Sequence, residues 1–194
     1  MKRVADVAIA GASLLAASPV LALAALAVKI EDGGPVLYRQ TRVGKDGVDF
    51  DLLKLRTMVV GAETMGAGLA VNKGDARITR TGRLLRKLSL DELPQLWNVV
   101  RGEMSVIGPR PTLRYQVERY DERQRHRLDV LPGITGWAQI HGRATLPWAE
   151  RIELDVWYVE HRSTLVDLRI LARTPAALFG GTYKGETGGW HGSN

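Results

Sequence analysis

The residues that invite chemistry first are Asp91 and Glu92, adjacent carboxylates within Ser89-Leu90-Asp91-Glu92-Leu93-Pro94-Gln95-Leu96-Trp97-Asn98. Two neighbouring carboxylates can hold a hard cation such as Mg²⁺, or divide the roles of nucleophile and proton partner. The same letters have a structural reading, because Ser followed three residues later by Glu is a capping box in which both acids only close a helix end. With Ser89 as N-cap, Pro94 would be the fifth helical residue and forfeit a ladder bond. With Asp91 as N-cap, Pro94 falls in the first turn, where a missing N–H costs nothing. That second placement predicts Asp91 at a helix N-terminus, where free amides and the helix dipole favour its ionised form and a bound phosphate.

Two later motifs add to the inventory. In Gly108-Pro109-Arg110-Pro111 two prolines fix the backbone around one arginine, which suits bidentate phosphate recognition. Pro132-Gly133-Ile134-Thr135-Gly136-Trp137-Ala138-Gln139 joins turn glycines to an aromatic face and a carboxamide, as a site for a base or sugar would, although Trp137 equally suits a core. The absence of cysteine excludes a thiolate nucleophile, a disulfide framework and a Cys-based zinc site. His126, His141, His161 and His191 lack a spacing that puts two ligands on one helix face, so they read as structural or surface residues. A formal charge of +6 favours an anionic partner, whether nucleic acid, phosphate ligand or lipid surface, without choosing among them.

The elements that must position these residues begin with an apolar run. At 194 residues the chain has room for one domain plus an appendage. Residues 4–28 are nearly all apolar, interrupted by Asp6, Ser13, Ser18 and Pro19. A straight helix of that length crosses a hydrocarbon core of about 30 Å. A secretory signal peptide shares the basic start and apolar run, but Asp6 intrudes on what should be an uncharged region. Pro19 predicts a bend, with the Ser18 hydroxyl able to satisfy the carbonyl that proline frees. Lys2 and Arg3 precede the run and Lys29, Arg39, Arg42 and Lys45 follow it, so both flanks look cytoplasmic. A straight spanning helix and a broken helix that leaves by the face it entered both remain open on these residues.

Downstream, β-like runs at 36–43 and 48–55 joined by Gly44-Lys45-Asp46-Gly47 predict a hairpin. Residues 61–74 hold four glycines and read as a mobile loop beside a site. Residues 73–87 carry six Lys or Arg against one Asp, and Arg77, Arg80, Arg83 and Arg86 recur every third position. This basic amphipathic segment is either a solvated helix face or a contact with lipid headgroups or phosphate. Helices are predicted over 112–128, from near Pro147 with Ile152, Val156 and Val159 on one face, and over 165–179. The tail, 180–194, has six glycines and reads as disordered.

One ordered set of motifs spans nearly the whole chain up to about Phe179: Lys2-Arg3 with Asp6, Ser18-Pro19, Gln40-Thr41-Arg42-Val43-Gly44, Lys54-Leu55-Arg56-Thr57-Met58, residues 89–98, Gly108-Pro109-Arg110-Pro111, residues 132–139, and Glu153-Leu154-Asp155 with Trp157-Tyr158. In that order they resemble the small bacterial monotopic phosphoglycosyl transferases, in their minimal catalytic form without the multi-span extension of larger relatives. The resemblance implies an α+β fold. A re-entrant membrane helix (1–30), broken at Ser18-Pro19, would lead into a cytoplasmic catalytic domain (31–179) of amphipathic surface helices and a β-hairpin, then the tail (180–194).

The same resemblance implies a Mg²⁺-dependent reaction at the bacterial inner membrane, with no nucleic-acid partner. A UDP-sugar and polyprenol (undecaprenyl) phosphate would give polyprenol diphosphosugar and UMP, which initiates glycoconjugate assembly. Asp91 matches the family's nucleophile, which forms an aspartyl phosphosugar, and Glu92 matches the carboxylate that shares the metal. Arg110 matches the arginine of the Pro-Arg-Pro motif. Lys54, Arg56, Gln139, Arg143 and Asp155 fall on polar positions that would bind nucleotide, phosphate or sugar, while Lys2, Arg3, Ser18 and Pro19 would set the topology. The chain departs from the pattern at His141, where Asn more often precedes Gly-Arg, which bears on nucleotide or sugar preference. Ala76 likewise replaces a proline common between Asp75 and Arg77. Two other classes compete: a basic membrane-surface or nucleic-acid binder in which Asp91 and Glu92 only cap a helix, and a spanning metal-dependent phosphotransferase or hydrolase in which Asp91 activates water.

Overall fold

The computed structural model describes residues 2–66, 68–69, 71, 74–142 and 146–179. The long helix α1 (Lys2–Asp32) precedes an antiparallel hairpin, β1 (Leu37–Val43) and β2 (Asp49–Leu55), in which Val43 faces Asp49 across the turn. There follow α2 (Arg80–Lys87), α3 (Gln95–Arg101), β3 (Ser105–Ile107), α4 (Arg114–Val117), α5 (Glu122–Arg125) and β4 (Gly133–Thr135). Then α6 (Trp137–Ile140), α7 (Trp148–His161) and α8 (Thr164–Phe179) complete a mixed fold of helix and sheet.

Helix α1 buries only Asp6, Ala10, Ala24 and Val28, and leaves Leu15 78% and Leu23 69% exposed. Full burial of one such leucine is worth about 1.5–3 kcal/mol, so a row of them outside the core forms a surface suited to lipid. The helix runs unbroken through Pro19, where the sequence predicts a break. Its ladder is repaired locally, because the Ser18 hydroxyl donates to Leu15 O at 2.8 Å, the carbonyl four residues before proline's missing N–H.

Both ends of α1 are fastened to the same domain. At the start, Arg3 donates to Val99 O (2.6 Å) and Val100 O (3.0 Å), carbonyls in the last turn of α3, and Lys2 donates to Tyr158 Oη (2.7 Å) and Asp167 (2.9 Å). Asp6, the acid inside the apolar run, accepts from Ser105 Oγ (2.8 Å) and Val106 N (3.0 Å) on β3. At the far end Glu31 accepts from the Arg80 and Thr81 amides at 2.7 and 3.0 Å, the exposed start of α2, and Asp32 pairs with Arg56. Ala10 joins the main core of Leu52, Leu96, Val99, Met104, Ile107 and Trp137, whereas Ala24 and Val28 pack on Leu55 and Leu85.

Several sequence expectations are revised. The helix predicted over 112–128 divides into α4, α5 and a 3₁₀ turn (His126–Asp129). Asp121 is the cause, since it forms a capping box with Gln124 and starts a new helix just after buried Tyr120 turns inward. The basic segment is helical only from Arg80, capped by Thr79, whose hydroxyl accepts from the Gly82 amide at 2.9 Å. Arg77 lies ahead of that helix and donates to the carbonyls of Ala62 (2.8 Å), Met65 (2.8 Å) and Gly68 (2.6 Å), so it gathers the described part of the glycine-rich loop. The parallel pair β3–β4 has only three residues per strand, too short for a periodic signal, and needs glycine at 133, where a Cβ would lie 2.0 Å from Gly108 N. The tail and Arg143 lie outside the described residues.

Candidate active site

Asp91 and Glu92 occupy a 3₁₀ turn (Leu90–Glu92), entered through Ser89 in a left-handed conformation at φ 55°. The Ser89 side chain makes no cap bond, and α3 begins only at Gln95, with Pro94 at the junction where no amide is needed. Neither capping assignment holds, and Asp91 stands a turn ahead of the helix end instead of at it. Its electrostatics change accordingly. Burial, with the Asp91 residue only 7% exposed, and the adjacent Glu92 charge push its carboxyl above the usual range, while Lys54 and Arg86 act in the opposite direction. The expected dominance of a helix dipole gives way to desolvation and like-charge repulsion.

Glu92 is gripped by cations. Arg110 spans its two oxygens, with Nη1 at 3.3 Å from Oε2, and Lys54 Nζ lies 3.4 Å from Oε1. Lys54 owes its place to Asn98, a fully buried residue on α3. The Asn98 carboxamide accepts from Leu53 N (3.1 Å) and donates to Asp51 O (2.7 Å), which locks the register of β2 beside the acidic turn. Arg86 is held by Thr57, whose Oγ1 accepts from its Nε at 2.7 Å. That approach requires glycine at 82, where a Cβ would meet Thr57 O at 2.0 Å.

A cavity of about 750 Å³ opens beside these groups, walled by Lys54, Arg86, Asp91, Glu92, Arg110 and Gln139 among others. Its size suits a nucleotide-sized ligand and its lining mixes cations with apolar surface. Gln139 is buried on α6, and neither atom of its carboxamide has a partner among the described residues. Two predicted ligand residues are turned toward protein. Arg56 borders the cavity but spends its guanidinium on Asp32, Pro35 O (2.5 Å) and Met58 O (3.1 Å), which makes it the clasp at the end of α1. Asp155 is 3% exposed and its Oδ2 accepts from Arg127 at 2.6 Å.

Trp137 is core, stacked on Trp157 at 4.4 Å, the second of its two sequence readings. His141 packs on Trp137 at 4.3 Å and contacts Trp137 O through Nδ1 at 2.8 Å. Sequence reasoning passed over Asn98 and Arg127 as individuals. Only their folded partners give them away, since a lone polar letter inside a helical run carries no periodic signal.

Among the described residues no group of three or more His, Cys, Asp or Glu gathers as a metal site. The two carboxylates still fit Mg²⁺, because their mutual repulsion raises Asp91 and a hard divalent ion bound by one or two carboxylates completes its shell with water and phosphate.

The sequence profile described as "Bacterial sugar transferase" matches residues 1–181. The chain is 44% identical over 174 residues to the "Uncharacterized sugar transferase EpsL" of Bacillus subtilis (strain 168), covering 90% of this chain and 85% of that protein. It is 43% identical to the UDP-glucose:undecaprenyl-phosphate glucose-1-phosphate transferase of Caulobacter vibrioides, covering 91% of this chain and 69% of that one. A third relative is the UDP-N-acetylgalactosamine-undecaprenyl-phosphate N-acetylgalactosaminephosphotransferase of Aeromonas hydrophila, 40% identical over 93% of this chain and 44% of its own length. The chain belongs to the bacterial sugar transferase family.

Proposed function

We propose that this protein transfers a sugar 1-phosphate from a UDP-sugar to undecaprenyl phosphate, releasing UMP. The observation that carries this is a buried carboxylate with a raised affinity for its proton, set in a cation-walled cavity on a domain whose first helix presents apolar surface. Relatives whose names specify undecaprenyl phosphate as acceptor lend the lipid, and their differing sugars leave the sugar open.

In this reading an Asp91 oxygen attacks the sugar-linked phosphorus. The bond to the UMP oxygen breaks, UMP leaves with the electron pair, and an aspartyl phosphosugar forms. An oxygen of the lipid phosphate then attacks the same phosphorus, releasing the Asp91 carboxylate and forming the lipid diphosphosugar. Desolvation makes Asp91 a more basic and hence stronger nucleophile, while the charges of Lys54 and Arg86 favour its ionised form. Arg110 and Lys54, preassembled on Glu92, offer donors where negative charge builds on the transferring phosphoryl group. Mg²⁺ held by Asp91 and Glu92 would neutralise diphosphate charge.

The membrane helix fits a re-entrant placement. A helix of 31 residues is about 46 Å long and its two ends would lie on opposite sides of a bilayer if it spanned. Here both ends bond to one folded domain, through Arg3 and Asp6 at the start and Glu31 and Asp32 at the finish. The domain then sits on the cytoplasmic face of the inner membrane, with access to nucleotide sugars.

The test is UMP release from a panel of UDP-sugars by the membrane-embedded protein with Mg²⁺, with and without undecaprenyl phosphate, for wild type and Asp91→Asn. Acceptor-dependent release abolished by the substitution is expected, together with a phosphosugar mass on the Asp91 peptide when donor is supplied alone. Release that survives Asp91→Asn would remove the nucleophile assignment, and acceptor-independent release beyond one UMP per enzyme would indicate hydrolysis.

A further inference from the structure

We propose that Arg127 is a positioning residue for Arg110, and that Asp155 serves this mount instead of the substrate. Pro109 and Pro111 remove two amide donors, so the segment carrying Arg110 relies more on its carbonyls and side chains. Each carbonyl has a distinct handle. Pro109 O accepts from Gly133 N at 2.8 Å, Arg110 O from Arg127 Nη2 at 2.9 Å, and Thr112 O from Val43 N at 2.9 Å. Pro111 O accepts from Arg42 Nη1 at 3.5 Å, so of the two side-chain grips on these carbonyls the one from Arg127 is the shorter.

Arg127 is 5% exposed and grips the segment twice. Besides Arg110 O, it donates to Tyr120 Oη, which lies 3.1 Å from Thr112 Oγ1. Asp155 Oδ2 holds the same Nη2 at 2.6 Å, and the rings of Tyr120 and Trp148 face the guanidinium carbon at 5.5 and 5.9 Å. A planar fork can serve Asp155, Arg110 O and Tyr120 together, whereas a lysine ammonium at the same depth cannot reproduce that geometry. The consequence lies at the other end of Arg110, whose side chain must reach both oxygens of Glu92. The one buried donor of Arg127 without a partner among the described residues is Nε, so a direct contact with substrate is what an experiment must separate.

The activity arm of the test rests on the transferase reading, and a labelling arm does not. Arg127→Met combined with Asp155→Leu removes both buried charges together, a change that leaves stability near wild type, and Arg127→Lys is a milder second variant. With either, kcat for UMP release is expected to fall about 10- to 100-fold while KM for the UDP-sugar stays within about threefold. In an Arg110→Ala background the same changes should cost less than about threefold, because the side chain they position is gone. Equal losses in both backgrounds, or a raised KM at unchanged kcat, would overturn the assignment. Independently, phenylglyoxal modification mapped by mass spectrometry should label Arg110, 34% exposed in its side chain, several-fold faster once the mount is removed. Unchanged labelling in an active protein sinks the mount. Faster labelling where even the wild type releases no UMP sinks the transferase reading and supports the mount.

Discussion

Asp91 and Asp155 are both buried carboxylates that border one cavity, and burial is the leading cause raising each of them. Their neighbours differ in sign. Asp155 meets the Arg127 guanidinium at 2.6 Å, which opposes the effect of burial. Asp91 has Glu92 beside it, which adds to that effect, and among the described residues no ion pair of its own. Against burial the fold sets a bonded cation at Asp155, whereas at Asp91 it adds a like charge and opposes the two only through the charges of Lys54 and Arg86. A charge left unrelieved costs stability and retains reactivity, which is the pattern expected where the chemistry is done.

The largest effect should come from Asp91→Asn. The rate of UMP release is expected to fall at least 1,000-fold, about 4 kcal/mol at the transition state. Thermal stability should move the other way. The folded carboxyl titrates above its ordinary value of 3.8, so between those two points the folded protein binds more protons than the unfolded chain. Stability is then full below the unfolded value and is lost as pH rises through the folded one. Replacing the acid by a neutral amide removes that loss, so the variant should melt higher than wild type at pH 7, with the advantage vanishing below about pH 3.8. A lower melting temperature at pH 7 would mean that Asp91 is compensated like Asp155.

Asp155→Asn should show the opposite signature. It strands Arg127 as a buried cation without its anion, and breaking such a pair costs about 3–5 kcal/mol, readable by urea unfolding. Glu92→Gln ranks next. It loosens Arg110 and Lys54 and should slow turnover about 30-fold, or about 2 kcal/mol. Because the Glu92 charge is one of the causes raising Asp91, its removal should also move the acid limb of the kcat/KM profile to lower pH. An unmoved limb would show that burial alone sets the titration of Asp91.

How much of this could be read from the letters follows from the range of each interaction. The hairpin, α1, α7 and α8 were legible because periodicity and turn residues act over neighbouring positions. Asp91, Glu92 and Arg110 were legible as candidates, and their meeting in one cavity fits the order of the motifs. The sign of the Asp91 shift was not legible. It depends on burial by the whole fold and on the adjacent Glu92 charge, which together outweigh the lowering by Lys54 and Arg86. The protein partners of Arg56 and Asp155 were not legible for the same reason, since a polar letter does not reveal a partner such as Asp32 or Arg127, 24 or 28 positions away.

A third buried carboxylate sharpens the contrast at smaller scale. Asp6 is 5% exposed, but its hydrogen-bond partners among the described residues are neutral donors, Ser105 Oγ at 2.8 Å and Val106 N at 3.0 Å. In Asp6→Asn the amide oxygen can still accept from Val106 N. Ser105 Oγ can rotate its proton away and accept from the new amide, so no polar group is left stranded. What is lost is the extra strength of a hydrogen bond to a charged acceptor, about 1 kcal/mol. Unfolding in nanodiscs should therefore shift by about that amount, well short of the Asp155→Asn loss, with UMP release within about threefold of wild type. A loss as large as that of Asp155→Asn would mean that the charge itself, and not the number of satisfied partners, fastens the start of α1 to β3.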